Sequence, residues 1–340
     1  MPRLNIFSPL HAYNGGVRSL LALIESMTDM DICIYHIPFL GAPKNKIIEQ
    51  INNIGRTLAS NWPPRLGSDD HVFIYLNDYA PYFGSDQTIW RMILKDACTA
   101  QFAVNLSIGR LFSYSWLGKK TTQIFFQNRE MAGYWNHKIK QSEFKNCPST
   151  VLPPPVDTSP FLDIKPRCKP PLIISRLGMH LPMGQGAILM YKNLSKLIPD
   201  AEFWFMDTPL EISENFASNP RFRLLDSDEI TVHEFFTYTD IYCVSVAPNW
   251  PALQGPRSLV EAMAAGKPSV SNNRTGPADR IATGIDGFLA NNLIEMENYV
   301  IELANNTDLR IKIGRAAREK ARNWSPRNWV RAIVKGMERN

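Results

Sequence analysis

Apolar runs of membrane length are missing from this 340-residue chain. No stretch approaches the roughly 18 apolar residues that span a bilayer. The start, Met1-Pro2-Arg3-Leu4-Asn5-Ile6-Phe7, enters a strand pattern directly, without a signal-peptide core. Cysteine is scarce: Cys33, Cys98, Cys147, Cys168 and Cys243 are scattered and form no CxxC pair. That excludes a disulfide framework and a zinc-binding cluster, and points to a reducing, cytoplasmic compartment. Several catalytic signatures are also lacking. There is no GxSxG elbow, no P-loop and no HExxH. No GxGxxG follows any strand, which argues against a dinucleotide oxidoreductase. Neither charge sign dominates, with 37 Lys and Arg against 32 Asp and Glu. A net charge of +5 permits an anionic partner without demanding one.

What is present is a soluble, two-domain pattern. Hydrophobic residues make up 44% and charged residues 20% of the chain, too apolar for a disordered protein. The length suits two domains of about 150–170 residues. Strand-length apolar runs alternate with helix-length segments. In the first half the strands are Leu4–Phe7, Asp31–Tyr35 and Val72–Leu76, with weaker candidates at Ala103–Asn105 and Gln123–Phe126; a helix is expected over Arg18–Met27. Eight prolines between Pro148 and Pro171 then mark an extended linker. The alternation restarts with Leu172–Ser175, a helix over Gly186–Leu197, Glu202–Met206, Phe222–Leu225 and Ile241–Val244, and closes with a helix at Pro326–Met337. Such alternation implies parallel sheets covered on both faces. The expected division is 1–152 as an N-terminal domain, 153–171 as linker, 172–325 as a C-terminal domain, and 326–340 as a helix packing back toward the first domain.

The segment Gly255-Pro256-Arg257-Ser258-Leu259-Val260-Glu261-Ala262-Met263-Ala264-Ala265-Gly266-Lys267-Pro268-Ser269-Val270 reads as loop, helix and strand. Pro256 suits a helix start and Gly266 a helix end. A helix N-terminus can hold an anion, and Glu261 can accept hydrogen bonds from vicinal hydroxyls such as those of a ribose. A polar loop, Asn272 to Arg280, and Asp286-Gly287-Phe288-Leu289 follow. This block resembles the donor site of retaining glycosyltransferases of family 4. Val151-Leu152-Pro153-Pro154-Pro155-Val156-Asp157 is similar to a further segment of that family, with Pro-Pro-Pro in place of Pro-Asn-Gly. The resemblance implies the GT-B fold: two facing Rossmann-like domains with parallel sheets and a deep cleft between them. It also implies transfer of a sugar from a nucleotide-diphosphate sugar to an acceptor hydroxyl, with no cofactor and no metal.

The same resemblance assigns the site. Arg176, at the end of Ile173-Ile174-Ser175-Arg176-Leu177, would contact the diphosphate. Glu261, with Arg257, Ser258 and Leu259, would hold the donor nucleotide. Gly15, Gly16, Asn273 and Gly276 would form loops near the donor sugar and phosphate. Two positions depart from the family. Met183 or Gln185 stands where a phosphate-binding Lys is expected, leaving His180, Lys192 or Arg274 as substitutes. Leu253 and Gln254 stand where the first of two paired glutamates is expected, so Gln254 is placed near the sugar. His11, Asn77, Asp78 and Asn128 are the acceptor-side candidates. The acceptor is left open between a glycan, a lipid-linked glycan and DNA. Lys119-Lys120 and Lys138 to Lys145 make the first half basic enough for peripheral contact with a membrane. Two further readings stay open: a transferase acting on a modified nucleic-acid base, for which Tyr79, Tyr82, Phe83, Trp90, Tyr114, Trp116 and Trp135 could stack, and a degenerate homologue that binds without turnover.

Overall fold

A computed structural model of the chain describes residues 3–11, 15–38, 41–75, 87–104, 115–178, 185–208, 213–226, 228–245, 256–274 and 276–338. Among the sites expected from sequence, Asn77, Asp78 and Gln254 lie outside the described residues, as do His180 and Met183. The chain divides into two compact units. One comprises Met1–Asp157 and Ser325–Asn340, the other Thr158–Trp324. The boundary at Asp157 falls inside the proline-rich stretch.

The first unit is built on a parallel sheet of seven strands in the order β3-β2-β1-β4-β5-β6-β7. These are β1 (Arg3–Ser8), β2 (Asp31–His36), β3 (Leu58–Ala59), β4 (Asp70–Tyr75), β5 (Thr99–Val104), β6 (Thr121–Phe126) and β7 (Ser149–Val151). The helices between them are α1 (Gly15–Glu25), α2 (Asn45–Asn53), α3 (Gln87–Leu94), α4 (Ser115–Gly118) and α5 (Arg129–Lys140). Sheet order reverses direction beside β1. Right-handed crossovers therefore place α1 and α2 on one face and α3, α4 and α5 on the other. Trp90 and Trp135 are buried, in keeping with a packing role rather than base stacking.

The terminal helix, residues 326–337, belongs to this unit. Its Trp329, Ile333 and Met337 join a core with Leu20, Phe73 and Phe125. Trp329 donates from Nε1 to the Pro153 carbonyl (2.7 Å), and Gln101 donates to the Ile333 carbonyl (2.9 Å).

The second unit has a parallel sheet in the order β10-β9-β8-β11-β12-β13. Its strands are β8 (Leu172–Leu177), β9 (Ala201–Met206), β10 (Phe222–Leu225), β11 (Ile241–Val244), β12 (Ser269–Asn272) and β13 (Phe288–Ala290). Helices α6 (Gln185–Leu197), α7 (Val232–Tyr238), α8 (Arg257–Ala264), α9 (Leu293–Asn305) and α10 (Thr307–Ala321) cover it, and α11 (Pro326–Met337) is the terminal helix described above. One face is packed by Tyr191, Phe203, Phe205, Phe216 and Phe222. The other is packed by Phe235, Phe236, Tyr242, Leu259 and Met263. Strands buried on both faces read as near-continuous apolar runs, so the sequence locates them well. Of the described residues, no helix is long and apolar enough to cross a membrane.

Candidate functional site

In open parallel sheets, ligands bind beyond the carboxyl ends of the strands. In the second unit that edge gathers most of the expected donor residues. Pro256 is the N-cap of α8, in an extended conformation, and its carbonyl accepts from Leu259 N (3.1 Å). The helix therefore starts at Arg257, one residue later than the proline signal suggests. Ser258 is buried; its hydroxyl lies 2.7 Å from the Tyr242 hydroxyl and donates to the Leu177 carbonyl (3.2 Å). Tyr242 also reaches Leu177 O (3.3 Å). The first turn of α8 is thus fastened to β11 and to the end of β8. Leu259 is a core residue with no exposure, so its side chain packs beneath the site.

Glu261 lies on the second turn of α8, and only 1% of its side chain is exposed. Its Oε1 accepts from Arg257 Nε at 2.8 Å, an i,i+4 pair. The structure buries the carboxylate and gives it an orienting partner.

Arg176, the fifth residue of β8, is fully buried. Charged residues are seldom placed so. Burial lowers its pKa, while Tyr191, Tyr242 and Cys243 act in the opposite sense. Its Nη1 donates to the Gly178 carbonyl (3.4 Å). Burial also drives the Tyr242 hydroxyl up, and both Arg176 and Glu261 act on it electrostatically.

Arg280 is a residue the sequence reading passed over. It is 2% exposed and donates from Nη1 to the Pro256 carbonyl at 2.7 Å, at the head of α8. Burial lowers its pKa to about 10 despite neighbouring Asp279. The sequence offered one signal: a basic residue in the loop after β12, which follows the helix on which the donor site was placed.

In that loop, Gly276 has φ +92°, a conformation glycine adopts without strain. Asn273 is exposed; its N–H donates to Ala290 O (2.7 Å) and its amide to Asn291 Oδ1 (3.0 Å). Arg274 is half-buried in the same loop, and Lys192 is half-buried on α6. The Asp286-Gly287 step shapes the turn: Asp286 accepts from Ala282 N (2.7 Å) and from Lys320 Nζ (2.7 Å).

In the first unit, Gly15 and Gly16 are the opening residues of α1, not a turn ahead of it. His11 is half-buried, and burial followed by Lys44 lowers its pKa. Asn128 is the N-cap of α5, its side chain accepting from Met131 N (2.7 Å). That bond gives it a structural task. The neighbouring Gln127 is buried with its amide unbonded among the described residues. These same residues hold no group of three or more His, Cys, Asp or Glu suited to a metal ion.

Residues 219–320 match the domain family described as Glycosyl transferases group 1. No curated protein matches the sequence. Among solved structures, Anabaena Alr3699/HepE in complex with UDP and glucose is similar, with a TM-score of 0.72 at 12% identity over 98% of this chain and 99% of that one. A glycosyltransferase from Rickettsia africae ESF-5 gives 0.67 at 13% identity, covering 99% and 100%. The pneumococcal O-GlcNAc transferase GtfA, in complex with UDP and GlcNAc, gives 0.60 at 10% identity over 80% of this chain and 58% of that one. The chain has the two parallel-sheet, Rossmann-like units of the GT-B glycosyltransferases, and its residues 219–320 match the group 1 glycosyltransferase domain.

Proposed function

We propose that the protein is a retaining glycosyltransferase that moves a sugar from a nucleoside-diphosphate sugar to an acceptor hydroxyl. The second unit binds the donor and the first the acceptor. The observation that carries this reading is the carboxyl edge of the second sheet, where a buried carboxylate, Glu261, is held by Arg257 on α8 and the buried Arg176 stands near the end of β8. Glu261 accepts from the ribose hydroxyls. Arg176 meets the charge that develops on the leaving diphosphate, a fixed cation that needs no reorganisation as the bond breaks. The bond from the anomeric carbon to the diphosphate oxygen breaks as the bond to the acceptor oxygen forms on the same face. The acceptor's proton passes to the departing phosphate, so no separate base is required. Similar structures that hold UDP-glucose, or UDP with glucose or GlcNAc, support a uridine-nucleotide sugar as donor. The acceptor is a glycan or a lipid-linked glycan, and exposed Lys119, Lys138, Lys140 and Lys145 suit contact with an anionic surface.

The test is incubation with UDP-glucose, UDP-N-acetylglucosamine and GDP-mannose without acceptor, following nucleotide release and the anomer first formed by NMR. Slow release of a sugar with retained configuration is expected. Inverted product would refute the mechanism. Nucleotide binding without turnover would favour a non-catalytic homologue.

A further inference from the structure

His36 ends β2 and stands between two backbone groups of neighbouring segments. Its Nδ1 accepts from the Leu10 N–H (2.9 Å) and its Nε2 donates to the Gly41 carbonyl (2.6 Å). The partners fix these roles. A backbone N–H can only donate and a carbonyl can only accept, so the ring is neutral and carries its proton on Nε2. Leu10 lies two residues beyond β1 and has no exposure. Its own carbonyl accepts from Lys44 N (3.1 Å), and Ser8 O, at the end of β1, accepts from Ile37 N (3.1 Å). Three segments of the first unit thus meet at this ring: the chain leaving β1, the end of β2, and the turn at Gly41, where φ is +105°.

A proton on Nδ1 would set one N–H against another. The bond from Leu10 is then lost and its buried N–H is orphaned, which changes an opening equilibrium by about 5- to 100-fold. The surroundings act in the same direction. Burial lowers the His36 pKa, the bond to Gly41 opposes this, and His11 reinforces it. Lys44 in turn lowers His11. Two imidazoles and an amine therefore gather here, and acid sets like charges against one another. Because the His36 value is lowered from 6.5 in the folded chain, the hold is complete above about pH 6.5 and is lost as pH falls through the lowered value.

We propose that His36 is a pH-sensitive latch, which fastens the chain leaving β1 while the ring is neutral and releases it in acid. The residue after Leu10 is His11, an acceptor-side candidate, so the latch orders the approach to that position. This consequence rests on the acceptor reading above; the latch itself does not.

The experiment combines 15N NMR of histidine-labelled protein with hydrogen exchange of peptides containing Leu10, corrected for the intrinsic pH dependence of exchange. The His36 signals are identified by their absence from His36→Asn. At pH 7.5 the wild-type ring is expected to carry its proton on Nε2, and to titrate below 6.5. A ring protonated on Nδ1 at pH 7.5, or one titrating at or above 6.5, would overturn the proposal. Between pH 7.5 and 5.5, exchange at Leu10 is expected to rise by about 3- to 10-fold, since a released histidine of ordinary value is about nine-tenths protonated at the lower pH. Asparagine offers an oxygen near the place of Nδ1 and does not titrate, so His36→Asn is expected to show no such rise. No rise in wild type, or an equal rise in the variant, would remove His36 from the role. If His36→Asn does not fold, the tautomer and titration of the wild-type rings decide.

Discussion

Replacing Glu261 by glutamine keeps the size of the side chain and removes its charge. Two consequences follow from where it sits. As a ligand for ribose, a carboxylate makes charge-assisted hydrogen bonds worth about 1.5–3 kcal/mol. Their loss weakens nucleotide binding by about 10- to 150-fold. As the partner of Arg257, Glu261 balances a guanidinium whose side chain is 13% exposed, at 2.8 Å. Breaking a fully buried pair costs about 3–5 kcal/mol. Arg257 keeps some contact with water, and glutamine can still accept its bond, so roughly 1–2 kcal/mol is expected. In a unit of this size that lowers the melting temperature by about 2–8 °C. Calorimetric titration with UDP and differential scanning calorimetry measure the two effects on one sample. A lowered melting temperature with unchanged nucleotide affinity would refute the reasoning: Glu261 would then serve only to brace α8.

Two further substitutions test the packing around α8. Lys267 is 2% exposed, its Nζ has no hydrogen-bond partner among the described residues, and burial lowers its pKa from 10.5 to about 8, with Asp240 opposing and Arg318 and Arg167 reinforcing the shift. The unfolded chain holds this proton more tightly, so the penalty is complete below pH 8 and fades as pH rises from about 8 to 10.5; at about 1.4 kcal/mol per unit it amounts to about 3–4 kcal/mol. Lys267→Met is therefore expected to raise unfolding stability at pH 7 and to flatten its rise above pH 8 in urea titrations; lower stability at pH 7 would show that the amine is needed where it is. Gly314 on α10 backs onto the Gly266 carbonyl so closely that an added Cβ would overlap it. Gly314→Ala should cost about 2–3 kcal/mol and lower the melting temperature by several degrees, whereas an unchanged value would mean the two backbones are not in contact.

Much of the fold is legible because its strands are short, doubly buried and bounded by polar loops. Phe222–Leu225, Ile241–Val244 and Pro326–Met337 are found where the apolar pattern puts them. Ser325 and Pro326 supply the N-cap and first position of the last helix, signals that act within one turn. β3, β7 and β13 went unread, since two or three residues at a sheet edge carry no period, and β5 forms at Thr99–Val104 where only Ala103–Asn105 was expected. In the site, local pattern identified α8 and Glu261, and a single strand end identified Arg176. The burial of Glu261 beside Arg257, the capping task of Asn128 and the reach of Arg280 to Pro256 were not legible in that way. Sequence by itself determined the longer buried strands and the helices α1, α6, α8 and α11, because those depend on periodicity and caps within a few residues. Only the tertiary structure decided that β8, β11 and β12 lie side by side, and hence that Arg176 and Arg280, 104 positions apart in the chain, face the same end of one sheet. Strand order is set by long-range crossovers and packing, and no local signal encodes it.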